Sequence, residues 1–76
     1  EQLRDGYGRL LAVSVANFRE AARLGELRDG VDPDVEAPAL YFLTQGLVGP
    51  ILVGLYRPDQ ALTLIDAQLD RVFRPA

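Results

Sequence analysis

The chain has 76 residues, 49% apolar and 25% charged, with a formal net charge of −3 and a sequence pI near 4.7; this length fits one compact domain. It contains no His, Cys, Met, Trp or Lys, which removes disulfides, thiol nucleophiles, Cys-ligated metals and the usual general base. The eight Arg stand singly in an acidic chain, which argues against a nucleic-acid or anionic-membrane surface, since phosphate binding relies on clustered cations.

Position 1 is Glu and Met is absent, which predicts a fragment or a processed product. The opening EQLRDGYGRLLA lacks the basic start, apolar core and cleavage site of a signal peptide. A domain this small buries only about 60% of its unfolded surface. With no disulfide or evident metal site, association with another chain is the expected supplement.

From Leu3 to Leu24 the residues Leu3, Tyr7, Leu10, Leu11, Val15, Phe18, Ala21 and Ala22 recur at three-and-four spacing, which predicts a first helix over about 3–24 with one buried stripe. Asp5 and Arg9 have the spacing of an i,i+4 ion pair. Gly6 and Gly8 weaken the first turns by about 1 kcal/mol each relative to Ala. Gly25 supplies the left-handed residue that caps many helices.

The segment GELRDGVD follows, with Leu27 and Val31 as apolar anchors around the Asp29-Gly30 turn signal. Asp32 is suited to cap a second helix and Pro33 to its first position, while Asp34 and Glu36 favour the positive helix end. D-P-D lacks the further oxygen ligands and the Gly of a calcium loop, so capping accounts for these acids and no metal site is expected.

The second helix is predicted over about 33–56. Within it, Ala37 to Tyr56 is a run of 20 residues without a charge, so burial on both faces is expected. The run reaches the length of a membrane span. Against a span stand Pro38, Gly46, Gly49, Pro50 and Gly54, the Thr44-Gln45 pair, and the lack of Lys/Arg clusters at either flank. Pro50 has Gly at both the preceding position and four residues back, which predicts a kink without a break. The kink reads as a packing bend or as the wall of a ligand pocket.

Arg57-Pro58-Asp59 opens a third helix, predicted over about 58–73, in which Leu62, Ile65, Leu69 and Val72 recur at seam spacing. Asp70 and Arg74 again sit at i,i+4, and Pro75 ends the helix. No strand alternation, repeat or Gly-rich phosphate loop appears, so the fold class is all-α.

The run AARLGELRDGVDPDVEAPAL, followed by a long uncharged helix and a final amphipathic one, resembles the C-terminal regulatory domain of TetR-family transcriptional regulators. The likeness is carried by a G-E-L-R-x-x-x-D-P-like turn, here Gly25, Glu26, Leu27, Arg28, Asp32 and Pro33. It implies that residues 1–76 are a single ligand-binding and dimerisation domain of a cytoplasmic regulator whose N-terminal helix-turn-helix domain lies outside this chain and alone contacts DNA. It also implies that the last two helices pack against a second copy as a four-helix bundle. Leu43, Leu47, Ile51 and Leu55 would carry that interface from the second helix, and Leu62, Ile65 and Leu69 from the third.

In the parent protein a small apolar or amphipathic effector would release the operator by shifting a conformational population. For its pocket the sequence offers Tyr7, Leu11, Phe18, Tyr41, Phe42 and Gln45, large apolar or aromatic groups with a few polar handles; core packing accounts for the same residues. No catalytic residue, metal or cofactor is expected. The competing reading is a helical oligomerisation or partner-binding module with no small ligand.

Overall fold

The computed structural model describes residues 2–75, which form three helices, α1 (Gln2–Arg23), α2 (Pro33–Leu52) and α3 (Pro58–Val72). The all-α class and the three-helix count agree with the periodicity of the apolar residues. α1 holds its helix through Gly6 and Gly8 and buries Phe18 and Ala21, with Leu11 and Val15 half-buried on the same stripe. Its last turn closes as a Schellman motif: the Gly25 N–H donates to the Ala22 carbonyl and the Glu26 N–H to the Ala21 carbonyl, with Gly25 at φ 75°.

Asp32 caps α2 as its position suggests, its carboxylate accepting the Asp34 N–H at 2.9 Å, and Pro33 occupies the first helical position. The far end departs from expectation. The uncharged run predicts a helix to Tyr56, but α2 stops at Leu52 in a second Schellman motif. There the Gly54 N–H donates to the Ile51 carbonyl and the Leu55 N–H to the Pro50 carbonyl, with Gly54 at φ 77°. The lack of charge in this stretch concealed a cap, because Gly54 supplies the left-handed conformation that a helix interior excludes. The helix does run on across Pro38 and Pro50, so neither proline breaks it.

α3 begins at Pro58, with the Arg57 N–H donating to Gln60 Oε1 at 2.9 Å. It ends when Phe73 turns to extended backbone. Arg74 therefore lies beyond the helix, and the i,i+4 pair expected with Asp70 does not form; its guanidinium pairs with Asp29 instead. The Asp5–Arg9 pair is likewise absent among the ion pairs of the described residues. An exposed pair of this kind is worth only about 0–1 kcal/mol, so the helices lose little without it.

α2 lies in the middle and packs along both neighbours, whereas among the described residues the backbones of α1 and α3 do not run side by side. Their side chains come together at one end, where the Phe18 and Phe73 rings also meet edge to face at 5.4 Å. The core lies at that end: Phe18, Ala21, Leu27, Ala37 and Val72 are buried together, flanked by Val15, Val31, Leu40 and Phe73.

The molecule measures 39 × 33 × 16 Å, with a radius of gyration of 13.8 Å. A compact chain of this length would have a radius near 11 Å, and 16 Å is little more than one helix diameter of about 10–12 Å. The helices thus form nearly a single layer. A domain ordinarily packs two layers around its core, and this one leaves one broad face of α2 without protein over it. The expectation that both faces of α2 are buried does not hold within one chain: Phe42 is 60% exposed and Leu52 79%.

Candidate functional site

Of the six residues with pocket-like chemistry, the fold links three directly. Tyr41 comes from the inward side of α2, one turn after the fully buried Ala37, and is itself only 9% exposed. The Tyr7 ring of α1 meets it edge-on at 6.5 Å with an interplanar angle of 84°, and Phe42 meets it at 5.5 Å and 74°. Edge-to-face geometry places the positive rim of one ring against the negative face of another. Leu11 is half-buried on the stripe one turn after Tyr7. Phe18 lies elsewhere, in the core beside Phe73, and Gln45 is exposed.

The Tyr41 hydroxyl is buried and has no hydrogen-bond partner among the described residues. One turn on, the Thr44 hydroxyl donates to the Tyr41 carbonyl at 2.7 Å. Beside this cluster an open groove of about 220 Å³ runs along α1, lined by Gln2, Leu3, Gly6, Tyr7 and Leu10. Tyr7 is common to the groove and to the aromatic contacts. Residues 2–10 of α1 are exposed throughout, so this half of the helix leans on the rest of the molecule through few side chains.

The uncovered side of α2 carries a second feature. Leu43, Leu47 and Ile51 recur at helical spacing on the inward arc and are half-buried, while Val35, Ala39, Phe42, Gly46 and Gly49 follow one another around the opposite arc and are exposed. The exposed surface continues into Leu52 and Val53, and then to Leu55 at 75% and Leu62 at 60%. Ile65 and Leu69 of α3 are half-buried. An apolar stripe of this extent on a chain this small is the mark of an interaction surface.

The turn between α1 and α2 is pinned across the molecule to the end of α3. The Arg28 N–H donates to the Val72 carbonyl at 2.8 Å and the Arg74 N–H to the Glu26 carbonyl at 2.8 Å, an isolated antiparallel bridge centred on Leu27 and Phe73. The Arg28 side chain adds a hydrogen bond from Nε to the Asp70 carbonyl, and Arg74 pairs with Asp29. The motif residues thus have distinct jobs: Gly25 and Asp32 cap helices, Pro33 starts one, Leu27 fills the core, and Glu26 and Arg28 tie down α3. The local signals for the caps were legible in the sequence, whereas the clasp, joining segments at opposite ends of the chain, was not.

The chain that carries this turn between an amphipathic and an uncharged helix matches, over residues 1–74, the sequence signature described as BetI-type transcriptional repressor, C-terminal. The chain belongs to this family. It is therefore a C-terminal domain of the TetR-type regulators. No curated protein and no solved structure matches it significantly.

In this BetI-type domain one ion pair ties two helices together. Arg19 of α1 grips Asp34 in the first turn of α2 through Nε–Oδ1 at 2.7 Å and Nη2–Oδ2 at 3.1 Å. The hydrogen bonds and charge of that guanidinium hold the Asp34 carboxyl below its ordinary value, against a smaller opposing effect of desolvation. Glu20 is lowered in the same way by its hydrogen bonds from Arg23. Among the described residues no group of three acidic side chains comes together as metal ligands would, and no helix is long and apolar enough to cross a membrane.

Proposed function

We propose that this domain joins two subunits of a cytoplasmic transcriptional repressor and senses a small effector that releases the repressor from DNA. The domain spans residues 1–76 in this reading, and DNA is contacted by a separate N-terminal helix-turn-helix domain of the same regulator. The observation that carries the proposal is the uncovered apolar arc of α2, running from Val35 through Phe42 to Val53 on a nearly single-layered fold. In a regulatory domain of this family, a second copy supplies the missing layer. α2 and α3 then pack against their symmetry mates as a four-helix bundle.

Leu55 and Leu62 extend the contact. Leu43, Leu47, Ile51, Ile65 and Leu69 give it only the area that their own chain leaves open. The effector site is assigned to Tyr7 and Tyr41 with Leu11 beside them and with Phe42 at the edge that the site shares with the dimer contact, and the clasp between Arg28 and the end of α3 holds the two ends of the layer in register while α1 responds.

Light scattering of the regulator at tens of micromolar tests the assembly. A dimer is expected, and a monomer at that concentration sinks the proposal.

One observation favours a second reading, an oligomerisation module with no ligand. The groove of about 220 Å³ is open and lined by α1 alone, below the roughly 300–1,000 Å³ of typical small-molecule sites. The two readings share the dimer and part on whether any small molecule raises the thermal midpoint.

A further inference from the structure

The dipeptide Asp-Gly occurs twice in the sequence, at Asp5-Gly6 and at Asp29-Gly30. In such a pair the glycine nitrogen can attack the aspartate side-chain carboxyl, because glycine puts no side chain in the way. The fold gives the two copies opposite surroundings. Asp5-Gly6 lies within the regular backbone of α1, where each peptide is held at both its C=O and its N–H. Asp29 and Gly30 are the central residues of a turn closed by the Val31 N–H on the Arg28 carbonyl at 3.3 Å, with Gly30 at φ 80°. Positive φ at the third residue alone makes this a type II turn. Its central peptide, joining Asp29 to Gly30, takes part in no hydrogen bond among the described residues, through either the Asp29 carbonyl or the Gly30 N–H.

We infer that Asp29 is a site of isoaspartate formation, restrained by its ion pair with Arg74, and that conversion there releases the clasp between the α1–α2 turn and the end of α3.

The conversion needs no co-reactant beyond water. The Gly30 nitrogen forms a bond to Cγ of Asp29, and one carboxylate oxygen leaves as water, taking the nitrogen's proton and one from solvent. Water then adds to the main-chain carbonyl carbon of the resulting cyclic imide and breaks its bond to nitrogen, which regains a proton. The chain now runs on through Cβ and Cγ, and the former main-chain carbonyl carbon becomes a free carboxylate as the second proton returns to solvent. Composition and mass are unchanged.

Ring closure requires the central peptide to rotate until its nitrogen lies over Cβ, and a type II turn starts with the nitrogen on the far side. No hydrogen bond opposes that rotation, and glycine tolerates the φ values it passes through. The Asp29 side chain is 95% exposed, and Oδ1 accepts from the Arg74 guanidinium. This pair engages the carboxyl that ring closure must turn toward Gly30, so the pair has to open first. Conversion lengthens the backbone by a methylene right after Arg28, the residue that meets the end of α3 through both its main chain and its side chain. The carboxylate moves away from Arg74 in the same step, so the clasp loses its ion pair and its register together.

The test uses the intact regulator, held for weeks at neutral pH and physiological temperature and then mapped by mass spectrometry with electron-transfer fragmentation, which tells isoaspartate from aspartate. Isoaspartate is expected at residue 29 about tenfold or more above residue 5, since rotation within the helix first breaks two backbone hydrogen bonds. Equal accumulation at the two sites, or none at residue 29, overturns the inference. Arg74→Gln removes the ion pair and leaves the backbone bond to Glu26 in place. Formation is expected to quicken about twofold to fivefold, the worth of an exposed pair, and an unchanged rate overturns the restraint.

Hydrogen exchange of the separated isoaspartyl fraction tests the consequence. The Arg74 amide, which bonds to the Glu26 carbonyl, is expected to exchange about tenfold faster than in the unconverted protein, as one backbone hydrogen bond opens. Equal protection overturns release of the clasp. Asp29→Glu, whose longer side chain closes its larger ring far more slowly, goes through the same incubation, and an equal loss of protection in it overturns Asp29 as the cause.

Discussion

Arg28 in the turn after α1 donates its Nε–H to the backbone carbonyl of Asp70, 42 residues along the chain, at 2.8 Å. Asp70 lies in the last turn of α3, whose carbonyls have no partner within the helix. The Arg28 main chain meets another of them, its N–H reaching the Val72 carbonyl. One residue thus caps α3 twice and fixes its end against the start of the layer. Arg28→Ala removes the side-chain half of this cap. Because the site is exposed, the expected loss is about 1.5 kcal/mol, the low end for a bond from a charged donor. Urea denaturation measures it, and hydrogen exchange at the Arg74 amide, which bonds to Glu26, is expected to quicken.

The two Schellman caps are tests of backbone geometry alone. A Cβ built at Gly25 or Gly54 meets no atom within 4 Å, yet both residues have φ near +75°. Alanine at either site therefore meets no neighbour and pays only the left-handed conformation, about 1–2 kcal/mol. Thermal or urea unfolding of Gly25→Ala and Gly54→Ala checks this. A neutral result at Gly54 would mean that α2 continues toward Tyr56, as the uncharged run suggests on its own.

The Arg19–Asp34 contact gives stability a dependence on pH. The folded-state value of Asp34 lies below the ordinary aspartate value, chiefly through the hydrogen bonds from Arg19. A depressed carboxyl stabilises the fold fully above the unfolded-state value, about 3.9, and that contribution is lost as pH falls through the lower folded-state value. Asp34→Asn keeps the shape and removes the titration. Urea midpoints at neutral pH and on descent below about pH 4 are expected to converge between the two proteins in acid, with the unaltered chain ahead at neutral pH. Added salt narrows the neutral-pH gap, since the pair is exposed.

The three helices were legible because Leu3 to Ala22 and Leu62 to Val72 repeat at helical spacing, and Asp32-Pro33 and Gly25 announce an N-terminus and a C-terminus. The true end of α2 was not, because hydropathy is blind to whether Gly54 sits in a helix or in a left-handed cap. Faces on a helix follow from the sequence, but the axial offset of two helices does not. Tyr7 and Phe18 share one stripe of α1, yet packing brings Tyr7 to Tyr41 and Phe18 to Phe73. The clasp was hidden for a related reason: Glu26–Arg28 and Val72–Arg74 are too short to show strand alternation and pair only once the layer has formed. The uncovered arc of α2 became visible when the inward residues Leu43, Leu47 and Ile51 were distinguished from the outward ones.

That arc yields a substitution with opposite effects on the single chain and on the assembly. Gly46 lies on it in mid-helix, and a Cβ there meets no atom within 4 Å. Gly46→Glu should favour the α2 helix by about 0.5–1 kcal/mol, the usual penalty of a mid-helix glycine. In a two-fold dimer the same change places a charge from each copy in the apolar contact. Desolvating these unpaired carboxylates is expected to weaken association about a hundredfold or more. Sedimentation across a concentration series, run alongside thermal unfolding, reads both effects. Leu47→Glu is the control: Leu47 is half-buried on the inward arc, so its substitution is expected to unfold the chain itself. A Gly46→Glu protein that remains dimeric at tens of micromolar would show that the α2 arc is not where the copies meet.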